Sequence, residues 1–263
     1  MAFAQPFARS ASGRPIAGAV ATLGVSDRVV FLRRTYGLLG AALIAFAGLT
    51  AGMMRFATET SYQYSAWAMH GQLSWLIVLG LFMLVGYIAQ RLAMSPSSRG
   101  LQLAGLGLFV VTQAMLLQPL LWVLILRFSN RAMLRSGVLM SGQTASILGQ
   151  AVVVTLAIFI GLTLTVFLTK KDFSFLRGIL TIASFAALGL IGASMLFGFS
   201  LGAFFVVVMI LLMAGYILYQ TSLVMSEFPP TAYVAAALML FSTIATLFWY
   251  VLQLLMQLNS SRR

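Results

Sequence analysis

The residues most able to do chemistry in this chain are uncharged polar side chains set inside long apolar runs. In the last such run Thr243, Thr246, Tyr250, Gln253 and Gln257 recur at steps of three and four, so they share one helical face. In the run before it Tyr216, Gln220 and Glu227 share a face in the same way. Gln113 and Gln150 place two more amides within earlier runs. Hydrocarbon does not satisfy such groups, so they must meet protein or water. Gln113, Gln150, Gln220, Thr243 and Gln253 are therefore candidates for an inward polar lining, with Tyr216 and Thr246 on the same stripes. Two chemistries fit: hydrogen bonds between helices, worth roughly 0.6 kcal/mol each in a bilayer, or a permeation pathway. For Ser and Thr a third is a bond to the preceding turn of their own helix.

Catalysis has little to build on. The acids are Asp27, Glu59, Asp172 and Glu227, the one histidine is His70, and there is no cysteine. These lie near span ends or in connections, with no nucleophile-and-base arrangement and no metal-ligand spacing, so neither catalytic nor metal-binding residues are assigned and no cofactor is expected. Gly105-Leu106-Gly107 is not a dinucleotide fingerprint, because it follows no strand and lacks the third glycine.

The elements that must position these residues follow from composition. Of 263 residues 61% are hydrophobic and 8% charged, with a mean hydropathy of +1.02. That leaves too little polar surface to cover a soluble globule, and predicts an all-α polytopic membrane protein whose solvent is the lipid bilayer. The net charge of +12 sits in short segments between apolar runs. Membrane topology accounts for it, and a nucleic-acid partner is not expected.

Residues 1–34 read as a cytoplasmic tail, with Arg9 and Arg14, followed by a basic amphipathic lead-in from Asp27 to Arg34. The short, small-residue core of Pro15 to Gly24 argues against a signal peptide, while an Arg-rich, acid-poor start also fits a mitochondrial transit peptide. Residues 35–258 then hold seven predicted spans. They run from about Thr35 to Met54, Ser74 to Gln90, Leu101 to Pro119 with a kinked continuation to Leu126, Ala145 to Leu168, Phe173 to Phe197, Gly202 to Met225, and Thr231 to Leu258. Residues 259–263 form a short tail. Gly48 and Gly52 make a small-xxx-small spacing for close helix approach. Glu59, Tyr62, Tyr64, Trp67 and His70 fall in a polar loop, Pro96 in a break, and Arg127, Arg131 and Arg135 on a surface helix. Asp172 is positioned to cap the fifth span. The Pro229-Pro230 turn makes the last two spans a hairpin, whose polar stripes place the final helix inside the bundle.

Counting Lys and Arg gives ten on the side of the N-terminus: Arg9, Arg14, Arg28, Arg33, Arg34, Arg91, Arg99, Lys170, Lys171 and Arg177. The other side has six: Arg55, Arg127, Arg131, Arg135, Arg262 and Arg263. The bias predicts a cytoplasmic N-terminus and a C-terminus on the opposite face.

Four fragments in order carry a family resemblance. They are Phe31-Leu32-Arg33-Arg34-Thr35-Tyr36-Gly37-Leu38-Leu39, Lys170-Lys171-Asp172-Phe173-Ser174-Phe175-Leu176, Gly215-Tyr216-Ile217-Leu218-Tyr219 and Val234-Ala235-Ala236-Ala237-Leu238. Together they resemble the Bax inhibitor-1, or transmembrane Bax inhibitor motif, family of seven-span membrane proteins. The resemblance implies a last helix surrounded by the other six and, in some members, a calcium leak gated by pH through two aspartates near the cytoplasmic side. Here those positions are Gln220 and Thr243, which cannot ionise, so a carboxylate pair sharing a proton is missing. Arg91 matches a basic residue of the second helix that would partner those acids. The expected protein is a multi-pass protein of a bacterial inner membrane. It is expected to act as a non-catalytic regulator or stress-response factor through other membrane proteins, such as a membrane protease. The alternative is an ion leak, with calcium as the ion, lined by Gln220, Thr243, Thr246 and Gln253.

Overall fold

A computed structural model describes residues 24–95, 98–129, 141–169 and 171–261. Arg9, Arg14, Pro96, Arg131, Arg135, Lys170, Arg262 and Arg263, named above, lie outside the described residues. The first helix, α1 (Val25–Phe56), runs unbroken through Thr35, with Asp27 in its first turn and Arg55 in its last, each complementing the helix dipole. One residue out of helical geometry, Ala57, separates it from α2 (Thr58–Ala68). The polar stretch read as a loop is therefore a helix. Its Ser61, Ser65 and Ala68 are buried at steps of four and three, while Gln63 Nε2 donates to Glu59 Oε1 at 2.8 Å on the other face. Eleven residues reach only about 16 Å, too short to span. Tyr62 and Trp67 are exposed on it, as on helices that lie in the membrane surface.

The other seven helices are long and apolar enough to cross a bilayer. Besides α1 they are α3 (Gln72–Ala93), α4 (Arg99–Phe128), α5 (Gly142–Thr169), α6 (Leu176–Phe197), α7 (Gly202–Ser226) and α8 (Tyr233–Ser260). α4 continues through Pro119 to Phe128 as one helix. α6 starts later than expected, because the N–H groups of Leu176 and Arg177 close tight turns onto the carbonyls of Phe173 and Ser174. Asp172 consequently does not cap it. Its carboxylate accepts the Ser174 N–H at 2.9 Å in a local turn, and the cap position is Phe175. Gly198, at φ +72°, ends α6 in the left-handed region where glycine is favoured.

The last helix is central. Along its most apolar stretch 72% of α8 is buried, against 67% of α4 and between 11% and 39% of the other spans. α1, α3, α4, α5 and α7 all pack on α8, and α6 packs principally on α7. The expected ring of six is thus five helices plus one held at second hand. Rings fill the middle. Phe46 of α1, Phe241 of α8, Phe109 of α4 and Phe82 of α3 form a chain with centroids 5.7, 6.1 and 6.0 Å apart.

Among the described glycines the closest approach to a neighbouring helix is not at Gly48 and Gly52, where an added Cβ would meet nothing within 4 Å. It is between α3 and α4, where a Cβ on Gly105 would lie 2.5 Å from the Ala89 carbonyl oxygen and 2.7 Å from the Ala93 nitrogen. Ala89 and Ala93 supply the small-xxx-small pair.

Seven long helices in series put the start of α1 and the end of α8 at opposite ends of the bundle. At the N-terminal end Arg28 Nη2 donates to the Met225 carbonyl at 3.4 Å, joining α1 to the end of α7. The Phe173 N–H there donates to Ser222 Oγ at 3.1 Å. At the far end Gln72 Nε2 of α3 donates to the Met195 carbonyl of α6 at 3.2 Å.

Candidate functional site

Gln220 lies six residues before the end of α7 and Thr243 ten residues into α8, so the hairpin brings them level near the N-terminal end. Thr243 Oγ1 donates to Gln220 Oε1 at 2.8 Å, and both side chains are buried. The hydroxyl is also 3.4 Å from the Met239 carbonyl, one turn back on its own helix. The pair carries no charge, and no proton can be gained or lost there at ordinary pH. It is a buried interhelix hydrogen bond across the closing hairpin.

Other buried oxygens of α1 and α7 are less well served. Thr35 and Tyr36 on α1 and Thr221 on α7 each bury a hydroxyl that has no hydrogen-bond partner among the described residues. The Tyr36 and Thr221 hydroxyls approach each other without aligning as a hydrogen bond. The Tyr36 ring meets Phe167 of α5 edge-on at 5.6 Å, so this one side chain touches three helices. The sequence reading did not single out Thr35, Tyr36 or Thr221 as polar lining. Nothing in their spacing distinguishes them from threonines that bond to their own helix.

The remaining candidates scatter. Gln113 is buried in α4. Tyr216 turns away from α8, with its hydroxyl 2.8 Å from Ser184 Oγ and 3.4 Å from the Leu180 carbonyl of α6. Thr246 donates to the Ser242 carbonyl at 2.8 Å, the bond to its own helix that competes with any lining role. Gln253 is half-buried. Gln150 is exposed and donates to Ser146 Oγ one turn earlier at 3.1 Å, so the expectation that it faces inward fails. α5 instead turns Thr144, Ile147, Ala151, Thr155, Phe159 and Thr163 inward, a face set by apolar and threonine positions that excludes Gln150. Arg91 is exposed and clasps Tyr87 of its own helix, at 2.7 and 3.0 Å to the hydroxyl with the guanidinium over the ring. Among the described residues it makes no hydrogen bond to Gln220 or Thr243, which bond to each other.

Comparison with known proteins decides the family. The sequence model of the family described as "Inhibitor of apoptosis-promoting Bax1" matches residues 28–260. The chain belongs to that family. Two relatives align along nearly the whole of this Bax inhibitor-1 family protein. Bax inhibitor 1 of Schizosaccharomyces pombe is 27% identical over 248 residues, covering 92% of this chain and 82% of its own. Protein lifeguard 4 of Mus musculus is 27% identical over 248 residues, covering 91% and 90%. No solved structure matches significantly.

At the far end this family member carries a second polar cluster that its sequence concealed. Gln118 of α4 is fully buried, accepting from Ser61 Oγ of α2 at 2.8 Å and donating to the Thr50 carbonyl of α1 at 3.3 Å. Trp122 Nε1 donates to the same Ser61 oxygen at 2.9 Å, and the Tyr62 ring stands edge-on to Trp122 at 5.0 Å. These bonds pin the short surface helix to α4 and tie α4 in turn to α1. Burial on α2 also pushes the Tyr64 phenol above its ordinary value. The signal that would have revealed α2 is the repeat of Ser61, Ser65 and Ala68 set against Glu59 and Gln63.

Proposed function

We propose that this protein is a non-catalytic regulator or stress-response factor of a bacterial inner membrane. On this reading it acts through contacts with other membrane proteins, a membrane protease among them. The observation that supports it is the 2.8 Å bond between Gln220 and Thr243. Where a pair of acids would give a protonation switch, a neutral bond fastens the closing hairpin, and the other face of α8 is filled by the Phe46, Phe241 and Phe109 rings. The name of the Schizosaccharomyces pombe relative, Bax inhibitor 1, denotes inhibition of another protein. Regulation by contact is the part of that description carried over here.

The second reading is a calcium leak lined by Gln220, Thr243, Thr246 and Gln253, without a di-aspartate latch. It is favoured by the unpartnered buried oxygens of Thr35, Tyr36 and Thr221, the last of which follows Gln220 in α7. Calcium flux into proteoliposomes across roughly pH 6 to 8, the range in which a buried carboxylate pair would change charge, separates the two. The regulator reading expects flux no greater than that of empty vesicles. Flux that falls in Gln220→Leu or Thr243→Val variants refutes it.

We also infer that the N-terminus faces the cytoplasm. Among the described residues Arg28, Arg33, Arg34, Arg91, Arg99, Lys171 and Arg177 lie at the N-terminal end, against Arg55 and Arg127 at the far end. A reporter fused after Arg263 is expected to report the periplasm, and a cytoplasmic signal overturns this orientation.

A further inference from the structure

Beside the α7–α8 turn, at the start of α1, lies a pocket of about 400 Å³ lined by Asp27, Val30, Phe31, Arg34 and Pro230. Its volume falls in the range of roughly 300–1,000 Å³ typical of small-ligand sites. The lining has one acid and one base on the same face of α1, seven residues apart, which is about 10.5 Å along the axis. They do not close on each other. The Arg34 guanidinium lies over the Tyr233 ring of α8, 5.7 Å from its centre. Phe31 is buried and forms an apolar floor, and Val30 is exposed at the rim.

Membrane depth gives this pair a direction. Asp27–Phe56 is apolar enough to span, with its uninterrupted apolar run beginning at Thr35; a bilayer whose hydrocarbon starts at that run would set Arg34 at its boundary and Asp27 about two turns further out. A leaflet's headgroup layer is about 5–8 Å deep, so the two charges bracket it. We propose that the pocket holds the headgroup of an aminophospholipid of the phosphatidylethanolamine type, with its phosphate on Arg34 and its ammonium on Asp27. The order matches the lipid, whose phosphate is the inner charge and whose amine is the outer one. Arg34 offers a planar fork of donors to phosphate oxygens, and its stacking on Tyr233 holds that fork in place. Asp27 accepts from the primary ammonium. A glycerol headgroup brings no cation to Asp27. A choline headgroup brings one that cannot donate a hydrogen bond, and the Tyr233 face that could have received it is taken by Arg34.

The test is lipid retention by the full-length protein purified in detergent, measured by native mass spectrometry with phosphatidylethanolamine, phosphatidylglycerol or phosphatidylcholine added. Inorganic phosphate serves as competitor. The wild-type protein is expected to retain phosphatidylethanolamine about tenfold better than either other lipid, the effect of one hydrogen bond to a charged group. Asp27→Asn is expected to erase that preference while leaving total lipid binding, and Arg34→Gln to lower retention of all three. Val30→Trp fills the pocket from an exposed position without touching either charge, and is expected to lower phosphatidylethanolamine retention while the protein remains folded. Equal retention of the three lipids by the wild type overturns the proposal. So does a phosphatidylethanolamine preference that survives both Asp27→Asn and Val30→Trp. Displacement of the lipid by inorganic phosphate at comparable concentration overturns it in favour of a free-phosphate site.

Discussion

Breaking the Gln220–Thr243 bond from its two ends should have unequal consequences, and the asymmetry can be worked from the distances. Thr243→Val keeps the shape of the side chain and removes the donor, leaving Gln220 Oε1 buried without its 2.8 Å partner. A buried acceptor left unsatisfied costs about 1–3 kcal/mol, and bonds between membrane helices measure about 0.6 and at most about 1.7 kcal/mol. A loss of about 1–1.5 kcal/mol is expected. Gln220→Leu instead frees the Thr243 hydroxyl, which already lies 3.4 Å from the Met239 carbonyl and can close that bond within α8. The expected loss is about 0.5 kcal/mol. With both ends replaced by apolar groups no polar atom of the pair remains, so the double variant should lose less than the sum, with a coupling of about 0.5 kcal/mol or more. The assay is reversible unfolding by SDS in mixed micelles, followed by tryptophan fluorescence. Trp249 of α8 lies six residues from Thr243 and stacks on Trp75 of α3, so it reports on this helix. Equal losses from the two single variants, or a double variant that is strictly additive, would refute the reasoning.

Three further outcomes are expected in the same assay. Gly105→Ala should destabilise by about 1–3 kcal/mol, because the new methyl meets backbone atoms of α3 at 2.5 and 2.7 Å. Gly48→Ala and Gly52→Ala, facing open space, should be neutral or slightly stabilising. Gln118→Leu should cost about 1–3 kcal/mol, since it strips a bond from Ser61 and frees the Thr50 carbonyl. α2 should then become more accessible to protease, and unchanged accessibility would mean that the cluster does not hold it. Arg91→Gln and Gln150→Leu should stay within about 0.5 kcal/mol of the wild type, since among the described residues each of these exposed side chains bonds to its own helix. A larger change at either would place it in a contact not seen here.

The spans were legible because each is a long apolar run, and hydrocarbon thickness sets their length whatever their neighbours. The central place of α8 was legible too, since Thr243 and its polar companions could not be left facing lipid. The bond between Thr243 and Gln220 was not legible: the sequence put the two on inward stripes of adjoining helices, and the fold joined them at 2.8 Å.

Direction was the part that periodicity could not supply. Gln150 and Gln113 look alike in sequence, yet α5 turns its threonine face inward and leaves Gln150 outside, while α4 buries Gln113. A helix with apolar residues all round gives no sign of which side meets protein, because lipid and protein interior are equally apolar. For the same reason Gly48 and Gly52 read as well as Gly105 did, and only tertiary packing chose Gly105 for the close approach. The Gln118–Ser61–Trp122 cluster joins residues about sixty positions apart, a proximity that exists only once α2 has folded against α4. Sequence alone determined the number of spans, their order and the polar side chains that had to be accommodated within them. Tertiary structure decided which of those side chains met one another, because contact between uniformly apolar helices is set by shape and by the few polar groups that find a partner.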